Sequence, residues 1–223
     1  MRTCQEWSLQ FDLLYNNIAS DQAPGLTEYE KSVFLTNAQE SVVVQLYRGS
    51  IGVAFESTEE VKSYLDQLVG QETIYPSTEG LKMDKDKSYL FSNPEGMLFR
   101  TWESCILSTD CGEVSVDVVP VTQDEYWRTV RNPFKGQGRS RVMRLTQAAP
   151  DSDNGVTEII SNYPVKSYTV RYLSKPEPIV LEDLPDGLSI NGKSESMPCL
   201  LNEALHQTIL TEAVKLAKAV WIQ

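Results

Sequence analysis

The sequence predicts an α+β fold: N-terminal helices, a central antiparallel β-rich region with a short inserted helix, and a C-terminal helix. Three observations predict it. Apolar residues recur at helical spacing over roughly the first seventy positions. From about residue 72 the period shifts to alternation, and from about residue 202 it returns to helical spacing.

The first helix is read from Trp7, Phe11, Leu14, Tyr15 and Ile18, which form one stripe, and "DQAPGL" ends it. A capping box, Thr27 to Glu30, opens the second, because the Thr27 hydroxyl can accept from the Glu30 amide while the Glu30 carboxylate reaches back. Spacing assigns Tyr29, Val33, Ala38, Val42, Leu46 and Tyr47 to its buried face. A second box, Ser57 to Glu60, opens a third helix carrying Val61, Tyr64, Leu65, Leu68 and Val69, with Gly70 as the residue that stops it.

"SYLFSNPEGMLFRTW" predicts two strands around a turn at Asn93 to Gly96. "EVSVDVV" alternates, with Val114, Val116 and Val118 on one side, and Pro120 suits a strand end. A third box at Thr122 opens the short inserted helix, which must stop near Asn132-Pro133. Asn154-Gly155 predicts a hairpin turn, since both residues tolerate positive φ. "SYTVRYL" places Tyr168, Val170 and Tyr172 on one side. "KPEPIVLEDLPDG" reads as an extended connector, and Leu205, Ile209, Ala213, Leu216 and Val220 stripe the last helix. The organisation expected is a helical region over 1–70, a β-rich region over 71–197 and a C-terminal helix over 198–223 packing on the same core, together one structural domain.

With 223 residues, 41% apolar and 23% charged, the chain is long enough to bury a core and is not composed like a disordered one. No apolar run approaches the roughly eighteen residues of a membrane span, and Glu6 and Asp12 interrupt any signal peptide. A cytoplasmic protein without a membrane partner is expected. Cys4, Cys105, Cys111 and Cys199 are scattered without a CxxC, so neither a disulfide framework nor a zinc site is expected.

Catalytic signatures are missing. The single histidine, His206, lies beside Leu205 on the last helix and reads as a packing or interface residue. No GxSxG, HExxH or Walker A pattern occurs. "KGQG", Lys135 to Gly138, follows a helix stop and leads into a strand, the reverse of a phosphate loop, so its glycines read as a sharp reversal. "DSDNG" and the Asp84/Asp86 pair lack the distal glutamate of a calcium loop and read as a turn and a solvated loop. No catalytic residue, cofactor or metal site is assigned, and an enzyme is not expected.

The charge map carries the one strong electrostatic signal. The chain is at net −11. Residues 101–127 hold six anions and no cation, whereas residues 128–144 hold Arg128, Arg131, Lys135, Arg139, Arg141 and Arg144 and no anion. Those six cations suit phosphate contacts, so an accessory protein that touches nucleic acid through 128–144 is one reading. Aromatic interleaving is limited to Trp127 and Phe134, and no nucleic-acid fold signature is present. The other reading is a contact with the acidic block, within the chain or on the next copy. Unlike patches meeting between identical subunits generate rings when the rotation closes. Arginine suits such a contact through its planar fork. These six residues are the candidate subunit-interface residues.

Four segments bring a family into view. Leu14 to Val43, Pro120 to Leu145, Tyr168 to Leu184 and Leu201 to Ala217 together resemble, in order, the head–tail connector ring proteins of crAss-like tailed bacteriophages. The resemblance implies a structural virion protein forming a homo-oligomeric ring, with the portal's twelvefold symmetry, around the DNA channel below the portal. It implies copies of itself, the portal or adjoining ring and tail proteins as partners, and DNA passing through the lumen without sequence-specific binding. It also implies assembly in the host cytoplasm. Acidic walls are compatible with that role, since they repel phosphate and let a duplex slide.

Overall fold

The computed structural model describes residues 2–16, 25–49, 59–76, 88–132, 134–135, 138, 140–149, 152–185 and 187–221. The Ser57 box, Asp84, Asp86, Ile18, Gly136 and Arg139, each singled out above, lie wholly or partly outside these residues. The fold is α+β, and the chain divides into two compact units, Met1–Leu68 with Lys175–Gln223, and Val69–Ser174.

The first unit is built on helices α1 (Cys4–Asn16), α2 (Glu28–Arg48), α3 (Glu59–Leu65) and α5 (Glu203–Trp221). The predicted capping box forms: Thr27 Oγ1 accepts from the Glu30 amide at 3.3 Å, and Glu30 Oε2 accepts from the Thr27 amide at 2.8 Å. Helix α2 ends at Gly49, whose φ of 72° is the left-handed turn glycine allows without penalty. Trp7, Phe11 and Tyr15 of α1 are buried as their spacing requires.

The buried face of α2 differs from the one expected. Tyr29, Val33 and Tyr47 are only half-buried, while Lys31, Ser32, Thr36 and Gln39 are buried. The reason is the extended segment after Lys175, which lies along this face with its backbone polar groups exposed to α2. Ser32 Oγ accepts from the Leu181 amide at 3.0 Å. Thr36 Oγ1 accepts from the Ile179 amide at 3.1 Å and lies 3.2 Å from the Ile179 carbonyl, to which it donates. Gln39 Nε2 donates to the Glu177 carbonyl at 2.7 Å, and its Oε1 accepts from Cys199 Sγ at 3.2 Å. A polar stripe at i, i+4, i+7 thus satisfies an irregular strap that has no sheet to join.

Lys31 is held by three oxygens: Asp12 Oδ2 at 2.7 Å, Glu28 Oε1 at 2.9 Å and Ser8 Oγ at 3.1 Å. Burial pulls its ammonium down, but Asp12 and Glu28 outweigh that and raise it above the ordinary lysine value. On α5 the buried set is Leu205, Ile209, Leu210, Ala213, Val214 and Ala217. Leu216 is half-buried and Val220 is 62% exposed, so the core-facing stripe is rotated from the predicted one. His206 is buried as a packing residue, with its ring centroid 5.0 Å from that of Trp7.

The second unit is a seven-stranded sheet: β1 (Val69–Ile74), β2 (Ser88–Ser92), β3 (Met97–Thr109), β4 (Gly112–Pro120), β5 (Arg141–Ala149), β6 (Ser152–Ile160) and β7 (Val165–Ser174), with helix α4 (Gln123–Val130) between β4 and β5. The spatial order is β1-β7-β3-β4-β5-β6-β2. All pairs are antiparallel except β4 with β5, which run parallel because α4 supplies the crossover such a pair needs. The sheet curls strongly. Phe91 of the edge strand β2 packs at a tilt against Tyr168 of β7, centroids 5.3 Å apart, although four strands separate β2 from β7 in the sheet order. The concave face holds Phe91, Cys105, Leu107, Val116, Val142, Ile159, Tyr168 and Val170. Burial pushes the Cys105 thiol up to about 12, with the Glu103 charge adding to it.

Three sequence expectations change here. Gly70 does not end a helix; a 3-10 turn at Asp66–Leu68 does, and Gly70 lies in β1 opposite Tyr172. β2 and β3 flank the turn at Gly96 but do not pair with each other: β2 pairs with β6, and β3 with β4 and β7. The reversal between β5 and β6 falls between Ala149 and Ser152, and Gly155, with φ of 68°, sits instead at a bulge inside β6.

Candidate subunit-interface segment

The segment from Arg128 to Arg144 begins on α4, and the position of α4 follows from its sequence. Tyr126 is its one buried residue and packs on Met143, Leu145 and Ile160 against the convex face of β5 and β6. That covering explains why Met143 and Leu145, on the face of β5 turned to the helix, are buried. Burial and the nearby Glu158 raise the Tyr126 hydroxyl above its ordinary value. Thr122 occupies the N-cap position but its side chain makes no capping bond, so the third predicted box does not form. The helix ends at Arg131, as the downstream proline requires.

Adjacent residues on a helix cannot face the same neighbour, so with Tyr126 inward Trp127 turns outward and is 63% exposed. Arg128 and Arg131, three apart, are exposed as well. Beyond the helix, Asn132 Oδ1 accepts from the Phe134 amide at 2.9 Å, and the Asn132 carbonyl accepts from the Lys135 amide at 3.1 Å. This local turn leaves Phe134 85% exposed, with Lys135 exposed beside it. The Gly138 amide donates to the Arg141 carbonyl at 3.1 Å, and Gly138 does not adopt positive φ.

The six candidate cations do not act as one group. Arg141 is half-buried, and its guanidinium donates back to the Phe134 carbonyl, closing the loop onto its own strand. Arg144 points into the concave face, where its Nε lies 3.1 Å from Glu103 Oε2 and its Nη1 donates to Thr146 Oγ1 at 2.7 Å. Arg139 lies outside the described residues. Arg128, Arg131 and Lys135 are exposed and make no ion pair among the described residues.

Glu103 is the centre of a buried polar network that sequence reading missed. It receives the Tyr168 hydroxyl, lies 3.6 Å from Arg100 Nε and pairs with Arg144. Arg100 extends the network to Asn93 Oδ1 at 2.8 Å and Thr157 Oγ1 at 2.7 Å. Burial, then the Glu103 carboxylate, raises the Tyr168 hydroxyl well beyond its ordinary range, so it stays a proton donor to that carboxylate. The only sequence signal was the lone glutamate in an apolar strand, "WESCIL".

The other acids of the 101–127 block are peripheral. Glu113 pairs with Lys166, and Asp110, Asp117, Asp124 and Glu125 are exposed without an ion pair among the described residues. Among the described residues no group of three or more histidine, cysteine, aspartate or glutamate side chains is placed to hold a metal ion. None of the described helices is long and apolar enough to cross a membrane. What the segment offers chemically is a surface of two aromatic rings and three cations that make no ion pair among the described residues.

Comparison with known proteins gives that surface a context. Residues 1–222 match the family described as phage tail ring protein 3/4. Ring protein 3 of Bacteroides phage crAss001 is 42% identical over 223 residues, covering 96% of this chain and 94% of the relative. Ring protein 4/5 of the same phage is 31% identical over 224 residues, covering 97% and 92%. The match runs through both compact units and the whole of the cationic segment, and the chain therefore belongs to the phage tail ring protein 3/4 family, the structural ring proteins of crAss-like bacteriophage tails.

Proposed function

We propose that the chain is a non-catalytic virion subunit that closes into a homo-oligomeric ring in the head–tail connector, below the portal and around the DNA channel. The observation that carries this reading is the end-to-end match to ring proteins over residues 1–222. The ring follows the portal's twelvefold symmetry and is assembled in the host cytoplasm. Its neighbours along the axis are the portal or an adjoining ring and tail proteins. DNA passes through the lumen without sequence-specific contact, and the net charge of −11 supports that role, because an acidic wall does not hold phosphate.

Within the ring, Arg128, Arg131 and Lys135 are contact residues between subunits, supported by their exposure and by the lack of an ion pair among the described residues. Arg141, Arg144 and Arg139 complete the interface segment, the first two by shaping it from within. Electron cryo-microscopy of intact particles tests the reading. The expected result is a closed ring of this chain on the tail axis between portal and tail. Density for the chain in the capsid shell, or as isolated copies off the axis, would overturn it.

A further inference from the structure

The cationic face of α4 needs a mate, and the structure offers one at the far end of β4. The turn between β3 and β4 presents Asp110, Cys111 and Glu113, all exposed, and Val114 beside them is 39% exposed. Asp110 makes no ion pair among the described residues, and Glu113 is engaged only by Lys166, in a pair whose two side chains are each about half exposed. Such a pair is weak and exchanges readily with a better-placed cation. Helix α4 begins just past the other end of β4. Its cations lie at the end of that helix and beyond it, where the chain returns to β5, and Arg141 of β5 pairs with Asp117 of β4, five strand residues or roughly 16 Å from Gly112 at the turn. No ion pair joins the turn to these cations among the described residues, so both are left for a second copy, and two unlike patches suit a contact that propagates from copy to copy.

We propose that the β3–β4 turn of one copy docks on the α4 face of the next, with Asp110 and Glu113 against Arg128, Arg131 and Lys135 and with Trp127 and Phe134 flanking that contact. The proposal rests on the ring reading and names the two surfaces that make the ring. The aromatic rings are anchors, since Trp and exposed apolar side chains supply contact area that charge alone does not. The cations set the register and exclude like-charged partners. A nucleic-acid occupant fits less well. Asp124 and Glu125, in the first turn of the same helix, are exposed and would repel a phosphate backbone laid along α4.

Charge exchange tests the contact. The first variant carries Arg128→Glu and Arg131→Glu; the second carries Asp110→Lys and Glu113→Lys. All four residues are exposed, so each variant should stay folded, the second with a small fall in melting temperature because Glu113→Lys sets a second cation beside Lys166. In sedimentation velocity, each alone should associate at least tenfold more weakly than the parent. Mixed in equal amounts they should recover assembly, because alternating copies again oppose unlike charges. Trp127→Ser with Phe134→Ser should also weaken association, and neither charge variant should restore it.

If the second variant assembles like the parent, the turn is not the mate and the proposal fails while the ring reading stands. Failure of the mixture to recover would equally overturn the pairing. If the first variant assembles normally but loses binding to duplex DNA at low salt, the face belongs to nucleic acid. A parent chain that stays monomeric throughout removes the contact altogether, and the ring reading is then judged separately in the particle.

Discussion

Glu103 of β3 and Arg144 of β5 form an ion pair at 3.1 Å that spans β4, the strand lying between theirs. Two strand spacings are about 9.6 Å, a gap that two long side chains on one concave face can bridge. The pair joins the acidic block to the basic block inside the chain. Both side chains are nearly buried, and Glu103 also serves Arg100 and Tyr168. Glu103→Ala should therefore leave the Arg144 guanidinium without its carboxylate and cost about 3–5 kcal/mol. Urea denaturation of Glu103→Ala, Arg144→Ala and the double variant checks this. The double variant should cost clearly less than the sum, because the two residues act as one unit.

The strap on α2 rests on Thr36, whose hydroxyl both accepts from and donates to Ile179. Thr36→Val keeps the shape and removes both bonds, leaving a buried amide and carbonyl unmet at about 1–3 kcal/mol each. The expected effect is local. Hydrogen exchange should accelerate at Ile179 and Leu181 more than in the α1 and α5 cores. Uniform acceleration across the helical unit would show instead that the strap and helices open together.

How much of this was legible in the sequence depends on whether neighbours in space are neighbours in the chain. The Thr27 box and the α1 stripe depend on residues within a few positions of each other: the box forms as read, and Trp7, Phe11 and Tyr15 of the stripe are buried, with Leu14 half-buried. The buried face of α2 does not depend on near neighbours, because Ser32, Thr36 and Gln39 are buried by a backbone about 140 residues away. Polar residues that satisfy a strap look like a solvated face until the strap is known. Likewise Asn154-Gly155 carries a real signal for positive φ, but a bulge uses it as well as a turn. The cation cluster was visible as a charge run. Its division into Arg144, committed inward, and Arg128, Arg131 and Lys135, left outward, follows from strand alternation and the Tyr126 anchor, which need the sheet order.

Gly70 and Tyr172 sit opposite each other on β1 and β7, and a Cβ at position 70 would come within 2.9 Å of the Tyr172 ring. The ring covers a glycine on an edge strand, so the close approach, not a helix stop, is what requires glycine there. Gly70→Ala should cost about 1 kcal/mol through displacement of the ring. In a Tyr172→Leu background the same substitution should cost nothing, which a thermal melt of the four proteins would read directly.

His206 gives the fold a pH dependence of known sign. Burial holds its imidazole below the ordinary value near 6.5; Arg2 adds to this, while the Leu201 carbonyl, 3.0 Å from Nε2, and Glu203 oppose it. The unfolded chain therefore takes up the proton first, so this contribution is complete above about pH 6.5 and is lost as pH falls below it. One such group changes stability by at most about 1.4 kcal/mol per pH unit. Between pH 7 and 5.5 the parent should lose melting temperature more steeply than His206→Gln, whose amide can still donate to Leu201. Equal slopes would remove His206 as the cause.

Arg128, Arg131 and Lys135 should behave oppositely to Arg144. Replacing an exposed cation that holds no partner changes folding stability by less than about 0.5 kcal/mol. The triple alanine variant should thus unfold with the parent in urea, while Arg144→Ala unfolds well before it. In assembly the order reverses in kind. The parent's association should weaken as salt rises from about 0.05 to 0.5 M, because exposed charges are screened beyond roughly 10 Å at 0.1 M and less as salt increases. Without those three cations the salt dependence should flatten, since the charges that salt screens are gone. Arg144→Ala, measured on the fraction that remains folded, should keep the parent's slope, because its charge is spent on Glu103. A triple variant that keeps the full salt slope would locate the electrostatic contact elsewhere on the chain.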